Sequence, residues 1–434
     1  MREMKDSGVE WIGKIPKSWE LKTIKQLMIE RNEKNRDLEV NTILSLSAKD
    51  GVTLYDGENH SGNKPREDLS DYKIVRENDV VVNSMNILSG SVGLSKYVGV
   101  VSPVYYIYYP RFDGNIHYFH YIFQSFEFQR SLRGLGNGIL IKETESGGLN
   151  TIRMRIPSKK LGMQEFPICS REEQDRIVFY LDSTTRRVGA LIANQEAQIE
   201  KLKQYKQSLI TEVVTKGLDP DAPTKDSGVE WIGEIPLDWE CKPIKNMSSY
   251  NDETLGENTD PEFEFDYIEI GSVEFGKGII GVERMKFSSA PSRARRIVHK
   301  NDIIVSTVRT YLKAVAYIPE SDTQLIASTG FVVIRPKDID PSFLKYAILS
   351  NSLICKIEAN SVGISYPAIN ASQVVSFKIP VPKLSVQQTI SSFLDGKCNS
   401  IDKLIAIKQN KIEQLNQFKK SLIYEYVTGK KEVI

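Results

Sequence analysis

The sequence predicts an α+β fold made twice: two globular heads separated by two long helices, paired antiparallel as a coiled coil, with an internal pseudo-twofold repeat. Three observations predict it. Residues 5–20 read KDSGVEWIGKIPKSWE and residues 225–240 read KDSGVEWIGEIPLDWE, identical at 13 of 16 positions. The segments from Gln174 and from Gln387 then align without gaps through Leu181-Asp182/Leu394-Asp395, Leu191-Ile192-Ala193/Leu404-Ile405-Ala406 and Ser208-Leu209-Ile210/Ser421-Leu422-Ile423. Between these matching ends lie middles that have diverged. Repetition at a fixed offset means one structural unit used twice. Ends that agree around middles that do not imply one shared task and two versions of another.

Each element follows from its local pattern. The opening segments carry the tryptophans Trp11/Trp231 and Trp19/Trp239 and the prolines Pro16/Pro236. The middles are strand-rich. Asp79–Val82, Val104–Tyr109, Ile303–Val308 and Gly330–Ile334 are β-branched or aromatic runs bounded by turn residues. Helical stretches follow near Tyr118–Arg133 and Pro341–Ile357. In the closing segments Val188, Leu191, Ile192, Ile199, Leu202, Tyr205, Leu209 and Val213 recur at helical spacing. Ile401, Leu404, Ile405, Ile412, Leu415, Phe418, Leu422 and Tyr426 do the same in the second copy. Asp182 and Asp395 are candidate N-caps. A helix of about 35 residues would be about 50 Å long. Its narrow stripe suits a coiled-coil seam through Val188, Ile192, Ile199, Leu202, Leu209 and Ile401, Ile405, Ile412, Leu415, Leu422. The resulting boundaries are a first head at 1–169, a helix at 170–217, a second head at 218–383 and a helix at 384–434.

Composition excludes several classes. Lys+Arg is 57 and Asp+Glu is 56, so the 434 residues are neither uniformly basic nor acidic. The balance conceals segregation. Residues 251–269 hold eight acids and no Lys or Arg, whereas 284–300 hold Arg284, Lys286, Arg293, Arg295, Arg296 and Lys300 and no acid. The first head has a milder cluster at Arg130, Arg133, Lys142, Arg153 and Arg155, beside Gly134-Leu135-Gly136-Asn137-Gly138. Cations for phosphates and Asn, Ser, Thr or Tyr for base edges are the two ingredients of DNA reading. The four cysteines are dispersed, giving neither a zinc knuckle nor a disulfide framework. No membrane-length apolar run or signal peptide is evident, so a cytoplasmic location is expected.

The tools of catalysis are missing from the sequence. No GxxxxGK[ST] loop exists, and no Asn-Pro-Pro or Asp-Pro-Pro with an aromatic. His117-Tyr118-Phe119-His120 lacks a third ligand and reads as packing, so no metal site is expected. Pro220-Asp221 with Glu240-Cys241-Lys242 fits a loose nuclease pattern, but it begins in a linker.

Two divergent heads, two similar helices and a doubled Glu-Trp-Ile-Gly-x-Ile-Pro-x-x-Trp opening resemble the specificity subunit of type I restriction-modification enzymes. The resemblance covers essentially the whole chain. It implies that each head is a target recognition domain for one half of a bipartite DNA site, and that the helices set the spacer. It further implies a subunit that is not itself an enzyme and docks two modification (methyltransferase) subunits, joined by restriction subunits with translocase and nuclease activity. S-adenosylmethionine, ATP and Mg would belong to those partners. DNA contact is then expected at Lys73, Asn83, Ser84, Asn86, Asn137 and Lys142 in the first head. In the second head it is expected at Arg293, Arg295, Arg296, Ser306, Thr307, Arg309, Lys313, Ser365 and Tyr366. The loop Gly363-Ile364-Ser365-Tyr366 has its counterpart in Gly138-Ile139-Leu140-Ile141-Lys142. Matching Asn150 to Asn370 gives 17 residues to Pro167 against 10 to Pro380, hence about seven extra residues in the first head. The competing reading is a two-headed coiled-coil scaffold that binds protein partners. A third is a nuclease using Glu240 and Lys242.

Overall fold

The computed structural model describes residues 2–57, 64–137, 141–143, 149–151 and 155–433. The chain divides into two compact units, Met1–Gln195 with Asn410–Ile434 and Glu196–Gln409, so the division falls inside both long helices. Each unit is built on the same scaffold.

A short hairpin opens each unit: Met4–Asp6 on Lys14–Pro16, and Thr224–Asp226 on Glu234–Pro236. Its turn is held by side chains. Asp6 and Asp226 accept from the amides of Gly8 and Gly228, both at 2.9 Å. This accounts for the retained Lys-Asp-Ser-Gly run, since Asp and Ser compete well for turn backbone. The next strand, Glu20–Thr23 or Glu240–Pro243, pairs with the last strand of the same head, Glu165–Ile168 or Lys378–Val381.

Between them lies a four-stranded antiparallel sheet. Its order is Met28–Glu30, Tyr105–Pro110, Val80–Asn83, Val92–Leu94 in the first unit. In the second it is Ser248–Tyr250, Phe331–Pro336, Ile303–Ser306, Val315–Tyr317. The central strands Val80–Asn83 and Ile303–Ser306 are buried at every position, which explains their continuous apolar runs. Each is preceded by an Asn-Asp turn with the Asn left-handed (φ +64° at Asn78, +71° at Asn301). The Asp is buried and bonded to a guanidinium: Asp79 to Arg31 at 2.8 and 3.1 Å, Asp302 to Arg335 at 3.0 and 2.9 Å. Arg31 follows the strand Met28–Glu30, whereas Arg335 lies within Phe331–Pro336. Two different strands therefore deliver the same pair.

The heads differ in what is added. The second carries a sheet ordered Glu283–Lys286, Glu264–Ile268, Leu325–Ser328, Ala294–Val298. The first has the pairs Leu44–Ser47 with Gly51–Leu54 and Lys73–Val75 with Gly99–Val101. The added sheet corrects the expected basic patch, because it lays the acidic run against the basic one. Arg284 pairs with Glu264 at 3.2 Å and Asp266 at 3.4 Å, Lys286 with Glu262 at 2.6 Å, and Lys300 with Glu320 at 2.6 Å.

The long helices span Arg171–Lys216 and Leu384–Val427. They begin eleven residues before Asp182 and Asp395, so these aspartates are not N-caps. Each instead accepts a tyrosine hydroxyl from its own head, Tyr121 and Tyr346, both at 2.6 Å. Gln174 and Gln387 lie inside the first turn. Their side-chain oxygens accept the backbone amides of Asn115 (2.9 Å) and Asp340 (2.8 Å), the N-caps of Ile116–Gln124 and Pro341–Leu349.

Within the first unit the rings of Tyr180 and Tyr426 lie 4.6 Å apart. Within the second, Gln198 bonds Lys408 and Lys206 pairs with Asp402 at 2.7 Å, so the helices run antiparallel there. Val188, Ile199, Ile401, Ile405 and Leu422 are buried, and Ile192, Leu202, Leu209, Ile412 and Leu415 are half-buried. Leu191, Tyr205, Leu404 and Phe418, which share the predicted stripe, are exposed. A two-helix seam is narrower than a helix packed on a globular core, so the flank of the stripe faces water.

Candidate nucleic-acid interface

In the second head the chain leaves Ile303–Ser306 and enters a braced loop. Ser306 and Thr307 are buried, and their hydroxyls donate to the carbonyls of Val308 and Gly330, the latter at 2.9 Å. They hold the loop and are unavailable to a ligand, which corrects their expected role. Arg309 follows at φ +51° and is exposed. A 3-10 turn, Thr310–Leu312, leads to Lys313, which pairs with Glu358 at 3.2 Å.

A second loop meets the first. Val362 and Ala368 exchange two backbone bonds (2.9 and 3.0 Å), and the amide of Ile369 donates to Thr307 at 2.9 Å. The hydroxyl of Thr310 donates to Ser361 at 2.8 Å. At the tip Ser365 and Tyr366 are exposed, and the Arg309 guanidinium sits 5.1 Å from the Tyr366 ring centroid. The fold thus brings Arg309, Lys313, Ser365 and Tyr366 into one cluster.

Arg293 reaches the same edge. Its carbonyl accepts Thr329 (2.8 Å), and Gly330 accepts Thr307 (2.8 Å). Its side chain is exposed. Arg295 is half-buried over Phe287 (4.7 Å), and Arg296 is half-buried with its Nε sealed and unpartnered, where burial lowers its pKa. Arg295 sits within the strand irregularity between Ala294 and Arg296, and both arginines are less exposed than Arg293. Tyr311, Leu312 and Ile364 are exposed residues of these two loops that charge and polarity did not single out. The aliphatic and aromatic residues inside the turn-prone run Gly363-Ile364-Ser365-Tyr366-Pro367 were the available signal.

The first head has the same frame. Asn83 and Ser84 are buried; the Asn83 side chain accepts the Met85 amide (3.0 Å) and the Ser84 hydroxyl donates to Val104 (2.7 Å). Lys73 is buried too, donating to the Tyr105 carbonyl at 2.9 Å, and burial lowers its pKa. These three are structural, again correcting the expectation. Asn86 and Asn137 are exposed. Lys142 lies on the strand Ile141–Glu143, and its side chain, like Gly138–Leu140 and Arg153, lies outside the described residues.

Residues 236–417 match the protein family described as type I restriction modification DNA specificity domain. The type I restriction enzyme MjaVIII specificity subunit of Methanocaldococcus jannaschii is 26% identical over 275 residues, covering 61% of this chain and 62% of that one. The type I restriction enzyme HindI specificity subunit of Haemophilus influenzae is 26% identical over 184 residues, 39% of this chain and 40% of that one. The chain therefore spans about three-fifths and two-fifths of the lengths of these curated relatives. A solved chain, from work on complex assembly and conformational transition of the type I R-M system, shares the fold. Its TM-score is 0.67 at 13% identity, covering 95% of this chain and 98% of that one. Residues 236–417 are thus similar to a type I restriction modification DNA specificity domain, and the chain is similar to type I restriction enzyme specificity subunits.

The internal repeat gives the first head the same frame. Asn137 and Arg155 exchange backbone bonds (3.0 and 3.2 Å) as Val362 and Ala368 do, and Ile156 donates to Ser84 (3.0 Å) as Ile369 donates to Thr307. Asn370 therefore corresponds to Pro157, not to Asn150. From these anchors both heads run ten residues to Pro167 and Pro380. Asn137 to Ile156 is nineteen residues against seven from Val362 to Ile369, so all twelve extra residues fall between these anchors. Identity of one asparagine had suggested a register that backbone pairing overrules.

Among the described residues no group of three or more His, Cys, Asp or Glu is placed to hold a metal ion. Glu240 and Lys242 pair at 2.9 Å on an exposed strand, and Glu20 and Lys22 repeat that pair at 3.3 Å. A pair present in both halves belongs to the scaffold. Among the described residues no helix is long and apolar enough to cross a membrane.

Proposed function

We propose that this chain is the DNA sequence-reading subunit of a type I restriction-modification complex. Each head reads one half of a bipartite duplex site. The paired long helices act as the ruler for the spacer and dock two methyltransferase subunits, to which restriction subunits are added. The chain itself is non-catalytic; S-adenosylmethionine, ATP and Mg serve the partners.

One observation carries this reading: two equivalent scaffolds hold loops of different length and content on the same pair of backbone anchors. A fixed frame with a variable tip is what two different half-sites require. The exposed Arg309 and Arg293 add the cations that base edges and phosphates need.

The test is to sequence methylated positions in host DNA and measure binding of the full chain, with its modification subunits, to the deduced duplex. Arg309→Ala should relax one position of one half-site and cost about 1–3 kcal/mol there. No preference for any bipartite duplex over random DNA would overturn the reading. Removal of one heptad from a long helix should change the spacer accepted; an unchanged spacer would mean the helices are not the ruler.

A further inference from the structure

The tip of the second head carries an apolar side chain with nothing to pack against. Ile364 is fully exposed, and Tyr366, two residues on in the same turn, is 66% exposed. The five residues between Val362 and Ala368 form too short a turn to fold back over it. Gly363 sits at φ +121°, where an added Cβ would lie 3.1 Å from the Tyr366 carbonyl oxygen, so the turn is tight. Its base is fixed by the Val362–Ala368 and Val308–Ala368 bridges. A rigid ribbon therefore presents a bare aliphatic group.

Beside it stands a fixed cation. The Arg309 guanidinium is braced on the Tyr366 ring, two residues from Ile364, and among the described residues it has no carboxylate partner. An arginine fork suits guanine O6 and N7 in the major groove, which is wide enough for a two-stranded ribbon. There, thymine is the only base that offers an apolar group, its C5 methyl.

Resting on the reading of this head as a DNA reader, we propose that Ile364 contacts the C5 methyl of a thymine next to the base pair that Arg309 reads. Ile364 then specifies a base through van der Waals contact, where its polar neighbours use hydrogen bonds. The side chain's exposure in the free protein is the cost of keeping it for the duplex.

The experiment replaces each thymine of one half-site by deoxyuridine, which removes only the methyl. The half-site is the one whose recognition Arg309→Ala relaxes, and the protein is the full chain with its modification subunits. One substitution should weaken wild-type binding about four-fold, the value of one buried methyl-sized group. Ile364→Ser, which disturbs no packing, should bind thymine and deoxyuridine sites equally. Sequence-selective binding with no deoxyuridine penalty would overturn this inference and leave the proposed function standing. So would an undiminished penalty in Ile364→Ser, or a half-site with no thymine beside the guanine. Loss of all sequence preference in the wild type would overturn both.

Discussion

Gly217 and Gly429 lie one and two residues past the two long helices, each against the proline and tryptophan of an opening segment, and replacing each by alanine should give unequal results. Both are left-handed, at φ +69° and +80°. Alanine there costs about 1–2 kcal/mol in backbone strain, offset by roughly 0.4–1 kcal/mol from a stiffer unfolded chain. For Gly217 little else is added, since the new Cβ would sit 3.4 Å from Trp239 Cζ2 and 3.8 Å from Pro236 Cγ. For Gly429 it would sit 2.5 Å from Pro16 Cδ and 3.0 Å from Trp19 Cη2. The proline ring is stiff, and Trp19 is buried and donates to Glu173 at 3.1 Å. Overpacking of this kind adds about 1–3 kcal/mol. Gly429→Ala should therefore cost about 2–4 kcal/mol and Gly217→Ala about 1 kcal/mol. Hydrogen exchange reads the units separately: amides of 12–28 and 420–430 should lose at least about 20-fold in protection in Gly429→Ala. The corresponding loss around 232–247 in Gly217→Ala should be about five-fold. Equal losses in the two variants, or none in Gly429→Ala, would refute the argument that the tryptophan opening clasps the helix end.

Burial, with His117 nearby, pushes His120 down to about 4, and its Nε2 has no partner. The unfolded imidazole takes a proton below about 6.5, so stability of the first unit should be full above that pH and decline as pH falls towards 4, by roughly 3 kcal/mol in all. Urea unfolding should show that decline shrinking in His120→Gln; parallel profiles would exclude the group. Arg335→Met leaves the Asp302 carboxylate buried without its partner and should destabilise the second unit by about 3–5 kcal/mol, read by thermal unfolding. Arg293→Ala should weaken binding to all duplexes and reduce the salt slope by about one, whereas Arg284→Ala, already ion-paired, should do neither in a salt titration. Lys242→Ala should leave stability within about 0.5 kcal/mol of wild type by urea unfolding, as for an exposed ion pair.

The repeat made the frame legible. Trp19 and Trp239, Gln174 and Gln387, and the Asn-Asp turns recur because each performs one mechanical task in each unit, and repeated tasks leave repeated letters. Asn83, Ser84, Ser306 and Thr307 were misread for a related reason. Polar residues after a buried strand suit both ligand contact and loop bracing, and only burial distinguishes the two. The basic run at 284–300 misled in the opposite way. The acids that neutralise Arg284 and Lys286 lie about twenty residues earlier, where strand pairing brings them alongside, and the one that neutralises Lys300 lies twenty residues later. The register slip at Asn150 arose because a single shared letter outweighed an insertion that only backbone bonds locate.

The sequence by itself determined that the protein is one unit used twice, each half a strand-rich head closed by an amphipathic helix, since periodicity and duplication are linear properties. Tertiary structure decided which charges remain free and which polar side chains face inward. It also decided that Arg309, Tyr366 and Ile364 share one tip. Those are questions of distance between residues far apart in the chain, and they are settled by strand pairing and desolvation.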